Sequence, residues 1–174
     1  MTVMKKLPTL PFAVACLLIA GTGAGFAQRL LRAAADHGRP EIKMTLTGAV
    51  EHGDDRIPVE KSEPVKPGDV LDWTIVSENK GDGPAHEYKA VGQIPKGTQL
   101  VLGSTTSDGT AVVEYSIDNG KSYQKQPTVA QKQNDGSVKQ VAAPVSMYTN
   151  LRYEWSDVLS QGGKLSASYK VRVN

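Results

Sequence analysis

The chain has 174 residues, 39% of them hydrophobic and 22% charged, with 20 basic and 18 acidic side chains and one cysteine. That length suffices for one domain of ordinary size with a core of its own. A net charge of +2 with no basic block argues against a nucleic-acid surface built on phosphate neutralisation.

Residues 1–27 are laid out as a secretory leader. Lys5 and Lys6 form a basic start, Leu10 to Ala20 is apolar, and Gly25-Phe26-Ala27 offers small residues to a signal peptidase. Cleavage is expected after Ala27. Two alternatives stay open. Leu7 to Ala27 is roughly long enough to remain as an anchor, and Cys16 is a lipidation candidate, although Ala13-Val14-Ala15 lacks the usual leucine before it. Cleavage would remove the two surplus lysines and the only cysteine. The expected product is a nearly neutral exported chain without disulfides, held by its core.

Residues 28–41 read as an N-terminal extension. Leu30, Leu31 and Ala33 to Ala35 fit two turns of helix stopped by Gly38 and Pro40. A helix this short is marginal in water, so the segment is either a disordered terminus or an element that docks elsewhere.

From Ile42 the pattern is β. Ile42, Met44 and Leu46 alternate with Lys43, Thr45 and Thr47. Glu51 to Glu63 is an acidic loop with an expected edge strand around Ile57 to Val59, where Pro58 is tolerated. Pro67-Gly68-Asp69 opens the strongest strand, with Leu71, Trp73, Ile75 and Ser77 on one face, ending at Asn79-Lys80-Gly81. A strand follows from Ala85 to Ile94, with Tyr88, Ala90, Gly92 and Ile94 on one face, then a turn at Pro95 to Thr98 and a short apolar run from Leu100. Ala111 to Ile117 is a strand, and Asp118-Asn119-Gly120 is the clearest hairpin signal. Gln124 to Gln140 reads as a polar loop or a weak strand pair around Asn134-Asp135-Gly136. Leu151, Tyr153 and Trp155 alternate, and after Gly162-Gly163 the last strand carries Leu165, Ala167, Tyr169, Val171 and Val173 inward. About seven to eight strands with no long amphipathic helix predict an all-β fold over residues 42–174, an antiparallel β-sandwich with Greek-key connections. Trp73 and Trp155 are expected near the middle of its core.

The ordered set PGD, Trp73, Asn79-x-Gly81, Ala85, Ile94-Pro95-x-Gly97 and a Gly-Gly turn before SYKVRV resembles the Ig-like conserved repeat domain of bacterial and archaeal surface proteins, catalogued as domain of unknown function eleven. EYSIDNGKSY followed by YTNLRYEW is similar to its single-domain secreted forms. The resemblance implies an immunoglobulin-like sandwich at the cell surface, used in stalks, adhesins or wall components, with no catalytic residues. One departure is the pair Gly92-Gln93, where such domains often carry an aspartate before the turn.

No catalytic, cofactor-binding or metal residue is assigned. His37, His52 and His86 are isolated, apart from His52 beside Asp54 and Asp55. No Gly-x-Ser-x-Gly elbow and no phosphate loop occurs, and the acidic loop lacks an EF-hand pattern. Lys43 and Asn174 are candidates for an internal isopeptide bond. Tyr123 and Tyr148 are candidates for glycan contact, or else they cover the core. Two functions are expected: a non-enzymatic structural or interaction protein of the cell surface or extracellular matrix, self-assembling through residues 28–41 into filaments, or a monomeric extracellular module for a glycan or protein partner.

Overall fold

Residues 38–53 and 55–174 are described by the computed structural model. Among the described residues eleven strands form: β1 (Ile42–His52), β2 (Asp55–Pro58), β3 (Val70–Asn79), β4 (Lys89–Gln93), β5 (Thr98–Leu100), β6 (Thr106–Ser107), β7 (Ala111–Ser116), β8 (Thr128–Lys132), β9 (Val138–Ala142), β10 (Asn150–Trp155) and β11 (Lys164–Val173). The larger sheet runs β2-β1-β3-β11-β5, with β6 also on β11. A second sheet runs β4-β10-β7, and β8 pairs only with β9. All these pairings are antiparallel.

The two larger sheets pack face to face as an all-β sandwich. Leu71, Ile75, Ala167, Tyr169 and Val171 come from one layer, and Ala90, Leu151, Tyr153 and Trp155 from the other. The period of two in β3, β10 and β11 accounts for this, because alternate side chains point into one shared layer. Tyr153, Tyr169 and Trp155 are the largest fully buried side chains. Each removes roughly 150–250 Å² from water, so they dominate the core. Their polar tips are all satisfied: Tyr153 Oη donates to the Ser168 carbonyl at 2.5 Å, Tyr169 Oη to Gln93 at 2.7 Å, and Trp155 Nε1 to Asp108 at 2.8 Å.

Tyr169 reaches across the sandwich and holds the Gln93 carbonyl, while Thr98 Oγ1 closes the following turn on Pro95 at 2.7 Å. These two hydroxyls order the turn after β4. Gly92 is needed because a Cβ there would lie 2.5 Å from the Tyr169 ring.

Three local expectations change, and one left open is decided. Trp155 is central, but Trp73 is only half-buried and leans over Gly48 of β1, where a Cβ would meet its ring at 2.7 Å. Of the two readings of the polar Gln124–Gln140 stretch, the strand pair around Asn134-Asp135-Gly136 is the one that forms, as the β8–β9 hairpin, whose turn is held by Asp135 accepting from Ser137. Residues 38–41, grouped by sequence with the extension, are bonded to the sandwich: Arg39 N donates to Asp82, Gly83 N to the Arg39 carbonyl, and Lys80 N to the Glu41 carbonyl. Lys43 and Asn174 lie at opposite ends of the large sheet. Lys43 pairs across to Glu78, which pairs with Lys164 at the start of β11, whereas Asn174 follows its end. At strand spacing they are about 30 Å apart, so no isopeptide bond joins them.

Candidate interaction surface

Among the described residues β4 is an edge strand, bonded on one side only. The Tyr88 carbonyl accepts from Trp155 N at 3.0 Å, and Ile94 N donates to the Thr149 carbonyl at 2.9 Å. In an antiparallel ladder the bonding direction alternates by residue. Lys89, Val91 and Gln93 therefore turn their backbone groups away from β10. The Gln93 carbonyl is taken by Tyr169, and the remaining edge groups have no partner among the described residues.

Beyond that edge the inner face of β1 is uncovered. Met44 pairs with Ser77, Leu46 with Ile75 and Gly48 with Trp73, so all three share the core-facing side of the sheet. Yet Met44 is 48% exposed and Leu46 55% exposed. The cause is the unequal width of the layers. The small sheet lies over β3 and β11, shown by Tyr88 Oη donating to Ser77 Oγ at 2.8 Å and by the Tyr153 bond to β11. It has no strand to lay over β1. The far end of β1 is covered differently, since Val50 is buried beside a cleft of about 360 Å³ formed with Ile57 and the 61–66 loop. What stays open is a strip floored by Met44, Leu46 and the flank of Trp73, and walled by the free edge of β4.

The alternation of β1 marks Met44 and Leu46 as inward, which they are. It carries no information on the missing cover, because that depends on how many strands the opposite sheet holds.

The other candidates sit elsewhere. His52 pairs with Asp55 across the β1–β2 hairpin, and Asp54 lies outside the described residues. Among the described residues no group of three His, Cys, Asp or Glu side chains is placed to hold a metal. His86 is exposed, and His37 is outside the described residues. Tyr148 stacks on Tyr115 at 5.1 Å with a 33° tilt, and burial raises its hydroxyl above the usual range. Tyr123 lies under the Arg152 guanidinium at 4.4 Å. The two tyrosines are thus each engaged by a different protein group.

The outer face of the large sheet carries an ionic cluster. Asp72, almost fully buried, accepts from Arg56 at 2.9 Å, while Lys170 pairs with Glu51. On the hairpin after β7, hydroxyls of Ser122 and Ser116 hold the Asp118 carboxylate well below the usual range. Asn119 and Gly120 take positive φ there, as the hairpin signal requires. Among the described residues no helix is long and apolar enough to cross a membrane.

No protein-family model matches this chain, and neither a curated protein nor a solved structure matches it.

Proposed function

We propose that this chain is a non-enzymatic structural or interaction protein, exported to the cell surface or extracellular matrix, that works by self-association. The observation that carries the reading is the strip between β4 and β1: an unpaired strand edge beside exposed apolar side chains is a template for another strand. The leader-like residues 1–27 and the motif resemblance to surface-protein repeats support the location. Rigid β-sandwiches commonly present recognition at edges and loops, which fits a scaffold built on a packed core of aliphatic and aromatic side chains.

The test is light scattering on the exported protein with and without residues 28–37. The cut must stop at His37, because Arg39 holds the Asp82 carboxylate and Gly83 N, and Glu41 holds Lys80 N. Oligomers that vanish on truncation support the reading. Monomers in both cases overturn it and direct the search to a separate partner.

A further inference from the structure

We infer that the strip between β4 and β1 accepts residues 28–37 of a second copy of this chain as an added β-strand, giving a head-to-tail assembly. This rests on the self-association reading and names its acceptor site.

Three observations select this occupant. The first is where the described chain begins. Gly38 packs against Asp82 and Gly83, so closely that a Cβ on Gly83 would lie 1.7 Å from the Gly38 carbonyl oxygen. Ile42 pairs with Asn79 at the end of β3, so Gly38 lies past that end of the large sheet. The described chain therefore begins at the rim of the sandwich.

The second is length. Ten extended residues reach about 33 Å, and the five residues of β4 span about 16 Å. The segment covers the free edge with residues to spare for the crossing.

The third is chemistry. As a strand, the segment places Leu31, Ala33 and Ala35 on one face, an apolar row of mostly small side chains. Such a row lies over Met44, Leu46 and Trp73 without needing a deep cavity, while its backbone meets the free N–H and C=O groups of Lys89 and Val91. Arg29 and Arg32 stay at the solvent edge or the opposite face.

A second copy is favoured over the same copy by the turn chemistry. Gly38 to Glu41 lead in line into β1, so filling the chain's own strip requires a reversal just before Gly38. Residues 28–37 offer only Asp36 for it, with no Gly, Pro, Asn or Ser. A strand passed from each copy to the next is a heterologous contact. Such contacts do not close on themselves unless the rotation happens to do so, and they generate filaments.

Single-cysteine cross-linking tests this directly. Every variant carries Cys16→Ser, so each protein has one thiol whether or not the leader is removed. One protein bears Leu31→Cys or Ala33→Cys, and the other bears Leu46→Cys on the exposed floor. The control acceptor is Val138→Cys, 66% exposed on the β8–β9 hairpin. Under mild oxidation the Leu46→Cys mixture is expected to give at least five-fold more mixed dimer than the control. Equal yields overturn the acceptor assignment. So does a Leu31→Cys/Leu46→Cys double variant that closes only within one chain. If truncation of 28–37 abolishes oligomers while cross-linking stays at control level, self-association stands and the strip is not its site. If the protein is monomeric and cross-linking is at control level, both fall.

Discussion

The side-chain amide of Asn79 donates to the Leu159 carbonyl at 3.0 Å, across 80 residues of sequence. The same amide nitrogen donates to Gly83 at 2.7 Å, and its oxygen accepts from Glu41 N at 3.2 Å and Gly81 N at 3.1 Å. One fully buried side chain thus ties the lead-in to β1, the turn after β3 and the loop before β11. Asn79→Ala strips partners from several backbone groups at once. An unsatisfied buried group costs about 1–3 kcal/mol, so a loss of about 3 kcal/mol or more is expected in urea denaturation. Asn79→Asp keeps the acceptor but points a carboxylate at two carbonyls, and is expected to lose at least as much.

Gly92 and Tyr169 form the second dependence. A methyl group at position 92 would sit 2.5 Å from Cε1 and 3.0 Å from Cζ of the ring. Tyr169 cannot retreat freely, because it is buried and its hydroxyl is bonded to Gln93. Overpacking of this kind costs about 1–3 kcal/mol. Gly92→Ala is expected to lower the denaturation midpoint by that amount, whereas alanine at the exposed neighbour Gln93 is expected to leave it nearly unchanged.

Much of this architecture is legible in the sequence, because β3, β10 and β11 alternate cleanly and their odd residues are those that meet in the core. The turns are legible for a second reason: Gly68, Gly97, Asn119 and Gly120 occupy positive φ, which few residue types tolerate. The candidate surface is not legible. Met44 and Leu46 carry the same signal as Ile75, and only the count of strands in the facing sheet separates an exposed inner face from a buried one. Trp73 misleads for the same reason, since it points inward yet leans over Gly48 of β1, which the three-stranded sheet does not cover. The role of Asn79 was visible as a turn residue, but its bond to Leu159 depends on a contact that no local pattern encodes.

Arg56 and Asp72 test the outer face. Asp72 is 4% exposed, and its Oδ2 accepts from Arg56 while Oδ1 has no hydrogen-bond partner. Removing the partner of a buried charge is costly, but the Arg56 side chain is 61% exposed and its attraction is screened. Arg56→Ala is expected to cost about 1–2 kcal/mol. The double variant Arg56→Ala/Asp72→Ala is expected to recover part of that loss, because it leaves no unpaired carboxylate; thermal unfolding of the single and double variants closes the cycle.

The two core tyrosines predict the alkaline limit of the fold. Burial pushes the Tyr169 hydroxyl up to about 12, and it pushes Tyr153 higher still, with the nearby Tyr115, Tyr169 and Asp72 adding to the effect. An unfolded tyrosine titrates near 10. Between about pH 10 and about pH 12 the unfolded chain therefore releases protons that the folded chain retains, and stability must fall as pH rises. This contribution is fully present below about pH 10 and is lost as pH climbs through the folded values. Urea midpoints measured across that window are expected to decline as tyrosinate absorbance rises. Tyr169→Phe separates the two roles of the hydroxyl. It leaves the Gln93 carbonyl without its donor and lowers stability at neutral pH. It also removes one retained proton, so its stability is expected to decline less steeply over the same alkaline window than that of the parent protein.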